Sequence, residues 1–225
     1  MSTRTISTIL ASAPNSQPRD SALGFHNRLI AEQGVDKATG FSDHGRNARF
    51  EIISECLEKF IKPKLKVVDY GCNDGDLVTR HPFTAYDIVY TGIDLNHAFI
   101  KLAKKRHINR NARFMVGNVL MEETNDWLIR HRPDVIIASG VLCYRAGAKS
   151  YPELVCRLFA AAGEALIFNV LVDTKPKSRL MHVWSKHKIL SLVKACGCRA
   201  WDIKHSYLPN DMTIVMRKHL THAVP

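Results

Sequence analysis

Short apolar runs alternate with amphipathic segments along most of the chain. The apolar runs are typical of strands buried in a sheet, and they lie at 65–70, 88–94, 112–116, 134–139 and 165–172. The amphipathic segments carry hydrophobic residues at helical spacing, and they lie at 46–61, 97–106, 152–162 and 185–195. Shorter helical turns are predicted at 76–80 and 126–131. This alternation predicts a doubly wound, mainly parallel α/β sheet with helices on both faces.

Two further strands are predicted near the C-terminal end, at 200–207 and 213–217. The turn-rich link Leu208-Pro209-Asn210-Asp211 joins them. Because only antiparallel neighbours can be joined by so short a connection, we expect an antiparallel hairpin at the sheet edge. With these two strands the predicted sheet has seven strands.

The length of 225 residues suits one α/β domain. We expect a disordered tail at 1–20, an N-terminal helical cap at 21–62 and the sheet domain at 63–220. An organelle transit peptide is the weaker alternative for the tail. The chain shows no secretion signal and no apolar run near the roughly 20 residues that span a bilayer. We therefore expect a cytoplasmic protein with no membrane partner.

The net charge of +11 is large for this length and constrains the partners more than the fold. Much of it lies in two runs that contain no acidic residue, at 99–113 and 174–188. Such a run is either the solvated face of a helix or a contact surface for nucleic-acid phosphates, and both alternatives stay open. The six cysteines show no metal-ligand spacing, so we expect reduced thiols and no metal site.

The segment most informative about chemistry follows the first strand, where Asp69 is succeeded by the glycines Gly71 and Gly75. In a doubly wound sheet, ligands bind outside the carboxyl ends of the strands. Glycines allow the backbone to approach a ligand closely, and the Asp69 carboxylate suits a cationic group. The spacing is not that of a dinucleotide loop, and three acids at 69, 74 and 76 would serve a phosphate poorly.

Three later strand ends also carry polar side chains. Asp94 ends the second strand, and a carboxylate there can accept both hydroxyl groups of a ribose. Asn118 follows the third strand, where its amide could hydrogen-bond an adenine edge. Ser139 follows the fourth strand and is expected near the reacting atoms.

In this order, the segments resemble the class I S-adenosylmethionine (SAM)-dependent methyltransferases, from about residue 40 to residue 218. A closer resemblance, to a group of bacterial and phage methyltransferase-like proteins, is carried by Gly40-Phe41-Ser42, Arg49-Phe50, Ala138-Ser139-Gly140-Val141 and Tyr207-Leu208-Pro209-Asn210-Asp211. The resemblance implies a Rossmann-like fold and methyl transfer. It also implies SAM as cofactor and S-adenosylhomocysteine (SAH) as its product.

The same resemblance implies roles for individual residues. Asp69, Gly71 and Gly75 would line the methionine end of SAM, while Asp94 would hold the ribose and Asn118 would face the adenine. Either Arg49 or Arg46 would reach the SAM carboxylate. Neighbouring positions complete the implied cofactor site: Cys72, Asn73, Leu95, Val119 and Ser139.

Two of these positions depart from the family pattern. Asn73 stands where a glycine is usual, and Asn118 stands where an aspartate is usual. Asparagine tolerates a positive φ better than most residues do. Its amide can also donate and accept hydrogen bonds. We therefore expect SAM binding to persist.

The sequence does not identify the methyl acceptor. Ser139-Gly140-Val141-Leu142 follows the fourth strand instead of an N-P-P-Y-like or Pro-Cys motif, which disfavours methylation of adenine N6 and cytosine C5. The candidate bases are His182, His187 and His205, and Tyr144 is a candidate substrate-site residue. We favour a small-molecule acceptor, an anionic one included. The alternatives are a nucleic-acid methyltransferase that uses the two basic runs and a non-catalytic SAM-binding protein.

Overall fold

The computed structural model describes residues 21–38, 40, 42–108, 110–172 and 180–218. Seven strands form one sheet: β1 Leu65–Tyr70, β2 Ile88–Asp94, β3 Ala112–Val116, β4 Val135–Ala138, β5 Ala165–Leu171, β6 Ala200–Lys204 and β7 Asp211–Arg217. The α-helices of the described residues are α1 Ala22–Gln33, α2 Asp43–Glu58, α3 His97–Arg106, α4 Glu122–His131, α5 Tyr151–Ala161 and α6 Lys186–Ala195.

The strand order in the sheet is β3-β2-β1-β4-β5-β7-β6. The first five strands of the chain pair in parallel, whereas β7 pairs antiparallel with both β5 and β6. The predicted seven-stranded, mainly parallel sheet with an antiparallel edge hairpin is therefore confirmed. The strand order reverses between β1 and β4, and a crevice opens at such a reversal.

Helices cover both faces of the sheet, as predicted. On one face, Ile53 and Leu57 of α2 pack on β1, β4 and β5, and Ile100 of α3 packs beside Tyr90 of β2. On the other face, α4, α5 and α6 pack on the alternate residues of the same strands. Strands buried on both sides explain the continuous apolar runs in the sequence.

Two helices, α2 and α4, begin earlier in the chain than predicted. α2 begins three residues before the predicted start because the Ser42 hydroxyl accepts a hydrogen bond from the Gly45 amide, 3.2 Å away. α4 also begins earlier than the predicted turn at 126–131. It starts at Glu122 and buries Thr124 and Leu128, and its two acids at the N-terminal end suit the helix dipole.

The prediction that every cysteine is a free thiol is wrong. Cys156 of α5 and Cys196, which follows α6, form a disulfide, with their Cα atoms 4.9 Å apart. The two helices pack side by side on one face of the sheet, which brings together residues 40 positions apart. A separation of that size gives no signal in the sequence. The other four cysteines are buried thiols.

Some sequence predictions fall outside the described residues: the tail at 1–20, Phe41 of the first resembling segment, and positions 174–179 of the second basic run. Within the described part of the chain, no helix is both long enough and apolar enough to cross a membrane.

Candidate functional site

A cavity of about 330 Å³ lies at the carboxyl ends of β1, β2 and β4, where the strand order reverses. Its volume is in the range of small-molecule sites. The cavity is lined by nine of the eleven residues that sequence analysis assigned to the cofactor site: Arg49, Asp69, Gly71, Cys72, Asn73, Asp94, Leu95, Asn118 and Ser139. The other two, Gly75 and Val119, are not among its lining residues.

The turn after β1 brings the backbone to the cavity wall. Gly71 has a φ of 80° and Asn73 a φ of 53°, so both occupy the left-handed region, as expected for asparagine in a glycine position. The Gly71 amide donates to the Ile93 carbonyl oxygen at 2.7 Å, which ties the turn to β2. A Cβ on Gly71 would lie 2.4 Å from Cγ2 of Val141, so the turn approaches the β4 loop too closely for any side chain.

Gly75 serves packing behind the turn. It also has a positive φ of 80°, and a Cβ there would lie 2.6 Å from Cε1 of Phe114. The glycine therefore lets the turn lie against Phe114 of β3. The sequence does not distinguish Gly75 from Gly71, because a positive φ and a close contact require glycine at both positions.

Asp94 organises the wall at the end of β2. Its Oδ2 accepts a hydrogen bond from the Asn73 amide at 2.9 Å, and its Oδ1 accepts one from the Asn96 amide at 2.8 Å. Burial raises the pKa of Asp94, while these two amides oppose the shift. Each carboxylate oxygen has further lone-pair capacity, so the group can still accept two hydroxyl donors.

Asp69 lies at the end of β1 and is buried. Its Oδ2 accepts a hydrogen bond from the Tyr90 hydroxyl at 2.7 Å. Burial raises the pKa of Asp69 to about 7, and the nearby Asp94 and Asp74 carboxylates add to this effect. Asp69 would therefore gain from a cation in the cavity, which would stabilise its charged form.

The wall that is expected to face the adenine is fixed by Tyr70 and Asn118. Oδ1 of Asn118 accepts hydrogen bonds from the Leu120 amide at 3.0 Å and from the Tyr70 hydroxyl at 3.4 Å. The Val119 amide donates to the Tyr70 oxygen at 3.2 Å, and the Val119 side chain is fully buried in the hydrophobic core. With Oδ1 engaged in this way, the Asn118 amide group offers hydrogen-bond donors from Nδ2.

Two buried polar atoms on cavity-lining residues have no hydrogen-bond partner among the described residues. They are Oδ1 of Asn73, an acceptor, and Nε of Arg46, a donor. The nearest counter-charge to Arg46 Nε is Oδ2 of Asp76, at 3.7 Å, beyond hydrogen-bond distance. Buried polar groups rarely stay unpaired, so these two atoms could bind a ligand that carries both hydrogen-bond donors and acceptors.

Arg49 lines the cavity but is engaged in a buried ion pair. Its guanidinium donates two hydrogen bonds to Oδ2 of Asp211, and the Nε contact measures 2.7 Å. Oδ1 of the same carboxylate accepts from the Tyr207 hydroxyl at 2.6 Å. Burial lowers the pKa of Arg49, but Asp211, with smaller contributions from Cys143 and Tyr207, raises it overall. Two of the resembling segments, Arg49-Phe50 and Tyr207 to Asp211, therefore meet in space.

Tyr144, a candidate substrate-site residue, contacts a histidine that the sequence does not indicate. His26 of α1 lines the cavity, and its Nε2 lies 2.9 Å from the hydroxyl oxygen of Tyr144. The two residues are 118 positions apart, and α1 shows only a weak helical pattern, so no spacing marks them. The three histidines predicted as candidate bases, His182, His187 and His205, are not among the cavity-lining residues.

The basic run at 99–113 lies mainly on the outer face of α3. Lys101, Lys104 and Lys105 are exposed. Arg106 instead forms ion pairs with Asp36 and with the buried Asp74. The described part of the second run includes Lys186 and Lys188, exposed in the first turn of α6.

Comparison with known proteins places this fold among methyltransferases. A magnesium protoporphyrin IX methyltransferase from Synechocystis, solved with SAM bound, matches with a TM-score of 0.64 and 12% identity over 92% of this chain and 100% of that one. An O-methyltransferase family protein from Burkholderia thailandensis matches with a TM-score of 0.64 and 15% identity, over 94% and 66% of the two chains. A SAM-dependent methyltransferase from Clostridium acetobutylicum matches with a TM-score of 0.59 and 11% identity, over 85% of this chain and 98% of that one.

No protein-family model matches the sequence, and the comparison with curated proteins gave no match. The likeness to the solved structures shows that this chain has the class I, Rossmann-like fold of SAM-dependent methyltransferases, as predicted. The closer grouping with bacterial and phage proteins stays a prediction.

Proposed function

We propose that this protein is a SAM-dependent methyltransferase that acts on a small-molecule acceptor. The observation that carries the proposal is the pair of unpartnered buried atoms on the cavity wall, Asn73 Oδ1 and Arg46 Nε. The amino-acid end of SAM has an ammonium group, which donates hydrogen bonds, and a carboxylate, which accepts them. These are the two partners that the wall lacks.

The methionine end of SAM would be held by three side chains. Asp69 and Asn73 would receive the ammonium group, and Arg46 would donate to the carboxylate. Arg46 suits this role better than Arg49, because two donors of Arg49, Nε among them, are already bound to the buried Asp211. Arg46 donates to the exposed Asp43 through Nη2, and its Nε has no hydrogen-bond partner among the described residues. In this arrangement Arg49 contributes to the site by fixing α2, the helix that also carries Arg46.

The nucleoside end would be held by Asp94 and Asn118. The Asp94 carboxylate would accept the two ribose hydroxyl groups, and Leu95 would lie beside the sugar. Since Oδ1 of Asn118 already accepts from Leu120, its Nδ2 group would donate to a ring nitrogen of adenine. This differs from an aspartate at the same position, which could only accept from the adenine amino group.

SAM supplies an electrophilic methyl group on a sulfonium ion, so the chain itself has to position the reactants and exclude water. The loop after β4, from Ser139 to Val141, touches the β1 turn at Gly71 and closes one side of the cavity. α1 closes another side with Leu23 and His26. A partly closed cavity of about 330 Å³ favours a small acceptor over a nucleic-acid strand.

Calorimetry and methyl-transfer assays with the full chain test this function. We expect SAH to bind with one site per chain, and SAM carrying a labelled methyl group to transfer the label to a member of a small-molecule library. Label on co-purified or added RNA, with strong salt dependence, would instead favour the nucleic-acid alternative. Absence of SAH binding would contradict the whole proposal.

Asp69 makes SAH binding depend on pH. Because burial raises the pKa of Asp69 to about 7, the empty site holds a largely protonated carboxyl group below that pH. The ligand's ammonium group favours the ionised form, so the affinity for SAH should fall as the pH drops below about 7, by up to about tenfold per pH unit.

The matched variant is Asp69→Asn, which keeps the acceptor for Tyr90 but does not titrate. We expect calorimetry at pH values above and below 7 to show that this variant binds SAH weakly, with an affinity that hardly changes with pH. A wild-type affinity that is flat across the same range would contradict the role of Asp69.

A further inference from the structure

We propose that Tyr144 and His26 form a proton-accepting pair for a phenolic or enolic methyl acceptor. Tyr144 would touch the acceptor hydroxyl, and His26, acting through Tyr144, would receive the proton at Nε2. This inference rests on the proposed function and names the substrate class of the same site.

Hydrogen bonds fix the tautomer of His26. Nδ1 of His26 lies 2.8 Å from the carbonyl oxygen of Ala38. A carbonyl can only accept, so Nδ1 carries the hydrogen in the neutral ring and Nε2 keeps its lone pair. The Tyr144 hydroxyl, 2.9 Å away, then donates to Nε2. The histidine is thereby oriented by a third group, as in known catalytic arrangements of this kind.

The surroundings keep His26 neutral at neutral pH. Phe25 and Phe99 lie against its ring, with centroids 5.3 Å away in each case. Burial lowers the pKa of His26, while the Ala38 carbonyl and the Asp94 carboxylate oppose the shift. Among the described residues, Asp94 and Tyr144 are the titratable groups that face the ring. Asp94 would stabilise the imidazolium that forms after proton transfer.

Tyr144 is a buried residue of the cavity lining whose oxygen can accept a further hydrogen bond. Tyr144 lines the cavity three residues after Val141, the residue that touches the β1 turn. Among the described residues it donates to His26, and no hydrogen bond to its hydroxyl oxygen is formed. The oxygen therefore keeps lone-pair capacity for a second hydroxyl group.

The chemistry selects acidic hydroxyl groups. The acceptor's O–H proton would pass to the Tyr144 oxygen as the Tyr144 proton passes to Nε2 of His26, so Tyr144 ends neutral. The acceptor oxygen would form its bond to the methyl carbon while the C–S bonding electrons stay on sulfur. A histidine with a lowered pKa is a weak base, so it serves a phenol or an enol far better than an aliphatic alcohol.

The test uses para-nitrophenol, whose anion is coloured, with SAH-saturated full-length protein. Wild type, Tyr144→Phe and His26→Asn are compared. His26→Asn keeps a donor for the Ala38 carbonyl but lacks Nε2, and Tyr144→Phe keeps the ring without the hydroxyl. Calorimetry with SAH comes first, because binding by all three proteins supports the proposed function independently of the proton-accepting pair.

In wild type, bound nitrophenol should ionise about one pH unit below its solution value, a tenfold change in the ionisation equilibrium, and both variants should remove this shift. A purely structural tie between α1 and the β4 loop would not move the probe's ionisation. The proposal is overturned if the wild-type protein leaves the titration of nitrophenol unchanged. It is also overturned if both variants lower the pH of nitrophenol ionisation as much as the wild type does. It is also overturned by ¹⁵N NMR of histidine-labelled wild type that places the neutral ring's proton on Nε2.

Discussion

Asp94→Ala should abolish most SAH binding. The variant removes a carboxylate that would accept two ribose hydroxyl groups, and hydrogen bonds to a charged group are worth about 1.5–3 kcal/mol each. It also leaves the amides of Asn73 and Asn96 without their acceptor, so the turn after β1 loses its anchor. We expect Kd to rise by about 100-fold or more.

Asp87→Ala is the matched control, because Asp87 is exposed and immediately precedes the opposite end of the same strand, β2. It should bind SAH like wild type.

Methylthioadenosine, which keeps the ribose and adenine but lacks the amino-acid end, sharpens the comparison. Asp94→Ala should weaken both ligands, whereas Arg46→Met should weaken SAH alone. If Asp94→Ala bound SAH as tightly as the wild-type protein does, the ribose would have to lie elsewhere.

The sheet could be predicted from the sequence because its strands are buried on both faces and appear as continuous apolar runs. The strand ends could be predicted for the same reason, and four of them carry the polar residues of the cavity wall: Asp69, Asp94, Asn118 and Ser139. The sequence cannot tell the role of Gly75, because packing on Phe114 and approach to a ligand both call for glycine.

What the sequence could not predict depends on contacts between distant elements. His26 meets Tyr144 only because α1 folds over the carboxyl ends of the strands. The Cys156–Cys196 disulfide forms because α5 and α6 are neighbours on one face. The two arginines of α2, three positions apart, look equivalent in the sequence. The distant Asp211 distinguishes them by binding Arg49, whereas Arg46 Nε has no hydrogen-bond partner among the described residues.

Arg49→Met should destabilise the fold severely. Arg49 and Asp211 are 5% and 3% exposed, so both charges are desolvated. Removing one partner of a buried ion pair typically costs about 3–5 kcal/mol, because the other charge stays buried without compensation. For a chain of this size, that loss lowers Tm by roughly 10 °C. Thermal and urea unfolding would measure it.

The controls separate the effect of leaving a buried charge without its partner from the effect of removing an arginine. Arg199→Met, at an exposed position, should melt like wild type. The double variant Arg49→Met/Asp211→Asn should be more stable than Arg49→Met alone, because the uncompensated carboxylate is gone while an acceptor for Tyr207 remains. A single variant that melts within the experimental error of wild type would show that the ion pair does not hold α2 on β7. The position of Arg46 in the cavity wall would then need another explanation.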